Sequence, residues 1–377
     1  MSDYLPEEVV LEILHRLPVK SLIRFRCVSK AWNSLITSSV FINSHLTRSL
    51  SLPSNSNKLI VRHCVDNSDV EYYKLIDDNN VSFDQIQNIE LPLKNCRIKH
   101  FKVIGSANGL FSLNKQHRYV LWNPSIRKFI TLPRPGISVM THGLIESRCA
   151  FGFDPRTNDY KLVRITFPYR INMSEEAKPP IIEVYSLNEG CWRVTSASFP
   201  PGITLIYCRR PATSLNGAVH FFAGGPCGLL VLSFDLRDEV FHVISLPKGI
   251  SKRINSVHTS VIGGSLSILF YCGRFAEDKC CDIWVMKEYG VVDSWTKQFT
   301  VHLNGGEIKW VLGLQKNGNI LVEAKVEETS LLCGLFSYDP KSKQVKNLGI
   351  CGRSYHFHVD NYMENLGLLD KPNDTVS

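Results

Sequence analysis

The chain has no long hydrophobic run. Its most apolar window, VIGGSLSILFYCG at 261–273, contains three glycines and is too short to cross a bilayer, so no membrane partner is expected. Those residues predict a buried strand hairpin instead. No secretory leader is expected either: Asp3, Glu7 and Glu8 stand where a signal would carry positive charge, and no long apolar segment follows them. Cysteine is not scarce, at twelve, yet the residues lie singly apart from the neighbours Cys280 and Cys281. No C-x-x-C pair occurs and no His/Cys cluster has zinc-finger spacing, which argues against a disulfide framework or a structural zinc site. Buried thiols acting as small hydrophobes are expected, in the reducing setting of the cytoplasm or nucleus.

A strong charge of one sign is lacking too. Lys and Arg number 43 against 35 Asp and Glu, a net +8, and no basic run exceeds two residues. That balance is no footprint of nucleic-acid binding. Catalytic signatures are equally thin: there is no G-x-x-x-x-G-K-[ST], G-x-S-x-G, H-E-x-x-H or G-x-G-x-x-G. His356 and His358 would share one face of a strand with no third metal ligand in view. Cys280-Cys281-Asp282 reads as a loop entering the strand that carries Trp284. Asp154, Asp235 and Asp339 sit at strand-to-turn junctions, where a carboxylate accepts nearby backbone N–H groups. No catalytic residue, metal or cofactor is expected.

What is present changes period along the chain. From about Leu59 to Leu366 short apolar strands alternate with Gly, Asn-Gly, Asp-Pro and Asn-Pro turns. YVLWNPSIRKFITLP (119–133), IEVYSLNEGCWRVTS (182–196), VLSFDLRDEVFHVISLP (231–247), DIWVMKEYGVVDSWTKQFTV (282–301) and GLFSYDPKSKQVKNLGI (334–350) each give a strand, a polar turn and a second strand. Their aromatics Trp122, Tyr185, Phe234, Trp284 and Tyr338 lie 63, 49, 50 and 54 positions apart. Another strand pair precedes most of these hairpins. Two hairpins per fifty or so residues predict one four-stranded propeller blade per repeat, and about six or seven blades in all. The strands at 59–93 and SYHFHV (354–359) would supply or close a further blade. A pair of β-sandwiches would also have short strands, but has no reason to repeat at this period.

Residues 1–45 follow a different rule. Glu7 and Glu8 follow Pro6 at a helix start, and Val10, Ile13, Leu14 and Leu17 form one apolar stripe. Pro18 ends that helix and opens a second with Val19, Leu22, Ile23 and Phe25. Ser29 is placed to cap a third, carrying Trp32 and Leu35. Three helices in so short a span bury little by themselves, so some of this apolar surface needs another protein or the propeller. Arg16, Lys20, Arg24, Arg26 and Lys30 form a basic stretch without an acidic residue, either a solvated face or a rim for an acidic partner. DNA binding by a helix-turn-helix fits poorly, because the turn is Leu-Pro-Val and Glu7, Glu8 and Glu12 would oppose the phosphates.

In order and spacing, Leu5-Pro6, Glu12-Ile13-Leu14, Arg16-Leu17-Pro18 and Val28-Ser29-Lys30-Ala31-Trp32 closely resemble the F-box. Val19-Lys20-Ser21-Leu22 and Arg24-Phe25-Arg26-Cys27 resemble the large plant group of F-box proteins, in which a degenerate kelch-like or F-box-associated propeller follows. Kelch blades usually carry a double glycine, and here only Gly224-Gly225, Gly263-Gly264 and Gly305-Gly306 occur. The expected fold is therefore multidomain, α followed by all-β: a three-helix F-box (1–45), a linker (46–58), a degenerate propeller (59–366) and a flexible tail (367–377). The resemblance implies a non-catalytic substrate receptor of a Skp–cullin–F-box ubiquitin ligase. Its Skp-family adaptor, and through it cullin, would dock on Leu5, Pro6, Val10, Ile13, Leu14, Leu17, Pro18, Leu22, Val28, Trp32 and Leu35, with some of these forming the helical core instead. A protein target of unknown identity would bind the propeller. The loops 134–148, 168–180, 201–213 and 248–258 qualify for that role by length and polarity. A propeller enzyme acting on a small molecule, and an F-box scaffold that delivers no substrate, are the alternatives.

Overall fold

The structure is a computed structural model. It describes residues 6–51, 58–65, 71–78, 87–89, 101–115, 118–169, 178–208, 210–248, 250, 257–272, 280–303, 306–325 and 332–372. The chain opens with helices α1 (Glu7–His15), α2 (Val19–Phe25), α3 (Lys30–Ile36) and α4 (Ser39–Ser51). Pro6 and Pro18 cap α1 and α2 in extended conformation, and the Trp32 N–H donates to the Ser29 side chain at the start of α3. Three helices follow the apolar spacing read above. The fourth carries Phe41, Ile42, His45 and Leu46 inward and overlaps the expected linker. It completes a small core of Leu14, Val19, Leu22, Ile36, Phe41 and Ile42. Burying an aliphatic or aromatic side chain of this size contributes about 1.5–3 kcal/mol, so α4 supplies what three short helices lacked.

The strands form six blades. Blade 1 takes β1 (Lys58–Cys64), β2 (Glu71–Asp77) and β3 (Gln87–Ile89). Blade 2 is β4 (Lys102–Ala107), β5 (Leu110–Lys115), β6 (Arg118–Asn123) and β7 (Lys128–Thr131). A short helix α5 (Val139–His142) leads into blade 3: β8 (Ile145–Asp154), β9 (Asp159–Pro168), β10 (Ile181–Ser186) and β11 (Cys191–Val194). Blade 4 has β12 (Thr204–Leu205), β13 (Thr213–Leu215), β14 (Ala218–Gly225), β15 (Gly228–Asp235) and β16 (Phe241–Ser245). Blade 5 is β17 (Val257–Ile262), β18 (Ser265–Cys272), β19 (Cys280–Met286) and β20 (Trp295–His302). Blade 6 is β21 (Glu307–Leu314), β22 (Ile320–Lys325), β23 (Leu332–Tyr338) and β24 (Val345–Arg353). Finally β25 (His358–Asn361) pairs antiparallel with β1 and becomes the inner strand of blade 1. The ring is thus shut by hydrogen bonds between the two ends of the propeller sequence.

The repeated aromatics occupy equivalent places. Trp122, Tyr185, Phe234, Trp284 and Tyr338 lie on β6, β10, β15, β19 and β23, the third strand of blades 2 to 6, and all but Trp284 are fully buried. The turns that follow are also equivalent. Asp235 accepts from the N–H groups of Arg237 and Asp238, Asp339 accepts from Lys341, and Asn123 accepts from Ser125. Arg127, Gly190, Glu239 and Lys343 then take left-handed φ values of 52°, 71°, 55° and 59° and close these hairpins. In blade 3 the matching brace comes a turn earlier, where Asp154 accepts from Arg156 and Thr157.

Four sequence readings shift. Cys280, Cys281 and Asp282 belong to β19 itself, because the strand pairs with Cys272 from its first residue. His358 lies in β25 while His356 sits in the preceding turn, its N–H donating to the Arg353 carbonyl, so the two do not share a strand face. The linker shortens, since α4 runs to Ser51. The tail expected to be flexible from 367 is packed as far as Leu369: Leu366, Leu368 and Leu369 are buried against the helices and blade 2. The apolar pair in Gly367-Leu368-Leu369 has too little sequence around it to show a period, yet it has a hydrophobic seat to fill.

Candidate functional site

All inner strands run the same way, so the connections sort onto two ends. Turns between first and second and between third and fourth strands lie at one end, with the helices. Second-to-third turns and blade-to-blade crossovers lie at the other. The helices are fastened to the first end by the last residues of the chain. Asn123 Nδ2 donates to the carbonyls of Asn365 and Gly367 at 3.1 and 2.8 Å, Lys128 Nζ bonds the carbonyls of Leu369 and Lys371, and Ile126 packs into the helical core. Gly109, at φ +83°, lies under this segment, and any Cβ there would strike the Met363 carbonyl oxygen.

The helical residues expected to meet an adaptor divide. Leu14 and Leu22 are 1% and 0% exposed and belong to the internal core, contrary to their placement in a docking set. Val10, Leu17, Trp32 and Leu35 are half-buried around that core, and the Trp32 ring leans on Phe25 with centroids 5.5 Å apart. Pro6, Pro18, Ile13 (47% exposed) and Val28 (63%) face outward, and Leu5 lies outside the described residues. Val9, four residues before Ile13 on α1, is exposed as well and was not singled out from sequence. Its position on the outer flank of the stripe was the available signal. Of the basic stretch, Arg16 is paired with Glu12 at 2.7 Å and Arg26 donates to Asn33, while Lys20, Arg24 and Lys30 are exposed.

The loops singled out by length converge. Segments 134–148 and 201–213 are crossovers into blades 3 and 4, 168–180 joins the second and third strands of blade 3, and 248–258 leads into blade 5. Every one of these connections starts and finishes at the end opposite the helices. Residues 170–177, 209, 249 and 251–256 of these segments lie outside the described residues. Around blade 3 that end exposes Val139, Met140 (95%), Leu144, Tyr169, Val194 and Tyr207. The crossover 134–148 is anchored from below: Glu183 accepts from the Ile137 N–H at 3.0 Å, and Arg164 donates to the Ile137 carbonyl and to Glu183, at 2.7 and 2.6 Å.

Comparison with known proteins settles the family. The F-box domain profile matches residues 3–44, and the F-box associated beta propeller domain profile matches 25–370. This chain is an F-box protein. Among its relatives is "F-box protein CPR1" of Arabidopsis thaliana, 30% identical over 79% of this chain and 73% of the relative. "F-box/kelch-repeat protein At3g23880" of the same plant is 27% identical over 79% of each, and "F-box protein At3g07870" is 26% identical over 99% and 94%.

In this F-box protein burial favours the neutral form of several ionisable groups inside the propeller that lack an opposite charge. Burial pushes His220 down to about 4 and His258 down to about 3. His220 bonds the Thr213 carbonyl and the Tyr289 hydroxyl. The Cys208 thiol, raised by burial, lies 3.0 Å from His258 Nδ1, so the pair is a neutral thiol and imidazole and not a thiolate nucleophile. Burial raises Glu323 to about 7, and its Oε1 accepts from the Tyr355 N–H at 2.6 Å. Of these, none was identified from sequence, because no local motif marks a burial that long-range packing creates.

Proposed function

We propose that this F-box protein is the substrate-recognition subunit of a Skp–cullin–F-box ubiquitin ligase, itself non-catalytic. Its helices would dock a Skp-family adaptor, and through it cullin, while the propeller holds a target protein. The observation that carries this reading is the polarity of the ring. The F-box is fastened to one end by the chain's last residues, and the long, apolar-tipped connections stand at the other. A receptor built this way keeps the adaptor and the target apart and spans the distance with a stiff body. The exposed pair Val9 and Ile13 with Val28 gives the adaptor an apolar surface, and Lys20, Arg24 and Lys30 give it a basic one. The free thiols at all eleven described cysteines fit a reducing compartment, cytoplasm or nucleus.

The test is co-expression with a Skp-family adaptor. The intact chain is expected to be retained, and Ile13→Asp combined with Val28→Asp is expected to abolish retention without altering the far-UV spectrum or unfolding temperature. Leu14→Asp is a poor probe, because it would unfold the helices. Failure of the intact chain to bind the adaptor would sink the reading.

A further inference from the structure

Blade 4 differs from its neighbours in one respect. Its inner strand is split: β12 pairs with Ala223 and Gly224, β13 pairs with residues 218–220 of β14, and the residues between them leave the sheet. Among the described residues the other five blades have a single inner strand. After Ile206, whose N–H still donates to the Phe222 carbonyl, Tyr207, Cys208 and Arg210 reach groups of other blades. The Tyr207 ring has Lys102 of blade 2 on it at 5.4 Å and Arg148 of blade 3 at 5.3 Å. Cys208 meets His258 of blade 5. Arg210 lies over the Trp310 ring and donates to the carbonyls of Val311 in blade 6 and Phe357 at the entry to blade 1, at 3.4 and 2.9 Å.

By leaving the sheet, this segment opens a cavity of about 190 Å³ beneath it, between blades 2, 3 and 4. The inner walls are mostly apolar, with Val103, Ile104, Leu205, Phe221 and Phe222. Lys102, Arg148 and Arg210 line it, and among the described residues no Asp or Glu does. Arg210 is committed to two carbonyls, which leaves Lys102 and Arg148, the latter also ion-paired to Glu146, as the cationic groups facing a ligand. Lys102 is exposed and has no hydrogen-bond or ion-pair partner among the described residues. Arg148 gives one nitrogen to Glu146 at 2.7 Å, while its buried Nε has no partner among those residues. His220, neutral, adds no charge.

We propose that this cavity is a binding site for a carboxylate carried on a compact apolar body, with the body between Phe221, Phe222 and Ile104 and the carboxylate at Lys102 and Arg148. A dry cavity of about 150 Å³ holds a benzene-sized body, so the volume here suits one ring or a short branched chain with its acid group. A doubly charged phosphate would need more donors than Lys102 and the Glu146-paired Arg148 supply and would desolvate against apolar walls. The carboxylate can come from a free organic acid or from an acidic side chain of a bound protein. In either case the site does not depend on adaptor docking, which is read separately.

The test uses the full-length protein and titration calorimetry with two probe pairs: hydrocinnamate against its neutral amide, and acetyl-Phe-Glu-Phe-amide against acetyl-Phe-Gln-Phe-amide. The acid of at least one pair is expected to bind roughly ten-fold or more tighter than its neutral partner. Lys102→Gln with Arg148→Gln should remove that preference, and Ser147→Leu, which fills the cavity, should remove binding. Preference confined to hydrocinnamate assigns the carboxylate to a free acid, and preference confined to the peptide assigns it to a protein side chain. Equal binding of acid and amide, no binding of either acid, or a preference that survives the double substitution would overturn the proposal. Adaptor retention by the same preparations should be unchanged.

Discussion

At the end of the propeller that faces the F-box, strands are joined by tight turns that repeat from blade to blade. Asn108-Gly109, Asn216-Gly217 and Gly263-Gly264 make two-residue hairpins with positive φ at both positions, and Asn123, Asp235 and Asp339 brace the longer hairpins through backbone N–H groups. At the opposite end the connections into successive blades differ in length, one carries a helical turn, and one splits the inner strand of its sheet and reaches neighbouring blades. Regular turns fix the pitch of the ring and offer a partner little variety. Irregular crossovers cost regularity and supply distinct side chains. The difference separates the features that must be the same in every blade from those free to specialise.

The largest expected effect probes how firmly an irregular crossover is held. Arg164 and Glu183 are both buried, and together they bind the backbone of Ile137. Arg164→Met would leave the Glu183 carboxylate unpaired and lower stability by about 3–5 kcal/mol in denaturant titration. A loss under about 1 kcal/mol would show that this crossover is not tied to blade 3 as described.

Glu323 tests a second tie, from blade 6 to the crossover at Tyr355. Its carboxyl is raised from the ordinary 4.5 to about 7 by burial, so the folded protein binds a proton there that the unfolded chain releases. Wild-type stability from this group is therefore full below about pH 4.5 and declines as pH rises to about 7. Glu323→Gln keeps the acceptor for Tyr355 and should remove the decline, stabilising the protein by on the order of 2 kcal/mol above neutral pH. No gain there, measured as the difference between the two stability profiles, would argue that the carboxylate is solvated.

Asp235→Ala removes a brace from one regular turn and should cost about 1 kcal/mol, seen as a lower unfolding temperature with an unchanged fold. Met140→Ser should lie within about 0.5 kcal/mol of wild type, because its side chain touches almost nothing. If Met140→Ser proved as costly as Asp235→Ala, the division between the two ends would fail.

Much of this was legible in the sequence for physical reasons. The turn residues and the aromatics on third strands are local and repeat, so the blade period could be read from Trp122, Tyr185, Phe234, Trp284 and Tyr338. The helices followed from one apolar stripe and three cap residues. What stayed hidden is relational. Whether Leu14 faces a partner or the core depends on α4, and Phe41 and Ile42 fill the space beside it. The course of 206–212 depends on carbonyls more than a hundred residues away, at Val311 and Phe357. Leu368 and Leu369 looked like tail because the surfaces that receive them are assembled from distant segments of the chain.

The closure of the ring by β25 has a consequence for biosynthesis. The F-box leaves the ribosome more than three hundred residues ahead of Leu366 and Leu369, which cover its core. The same final stretch supplies the inner strand of blade 1 and lies over Gly109 of blade 2. A chain released early would therefore carry an open sheet edge together with an uncovered helical core. Such a fragment would display its defect to chaperones and proteases, so an incomplete chain would be open to removal.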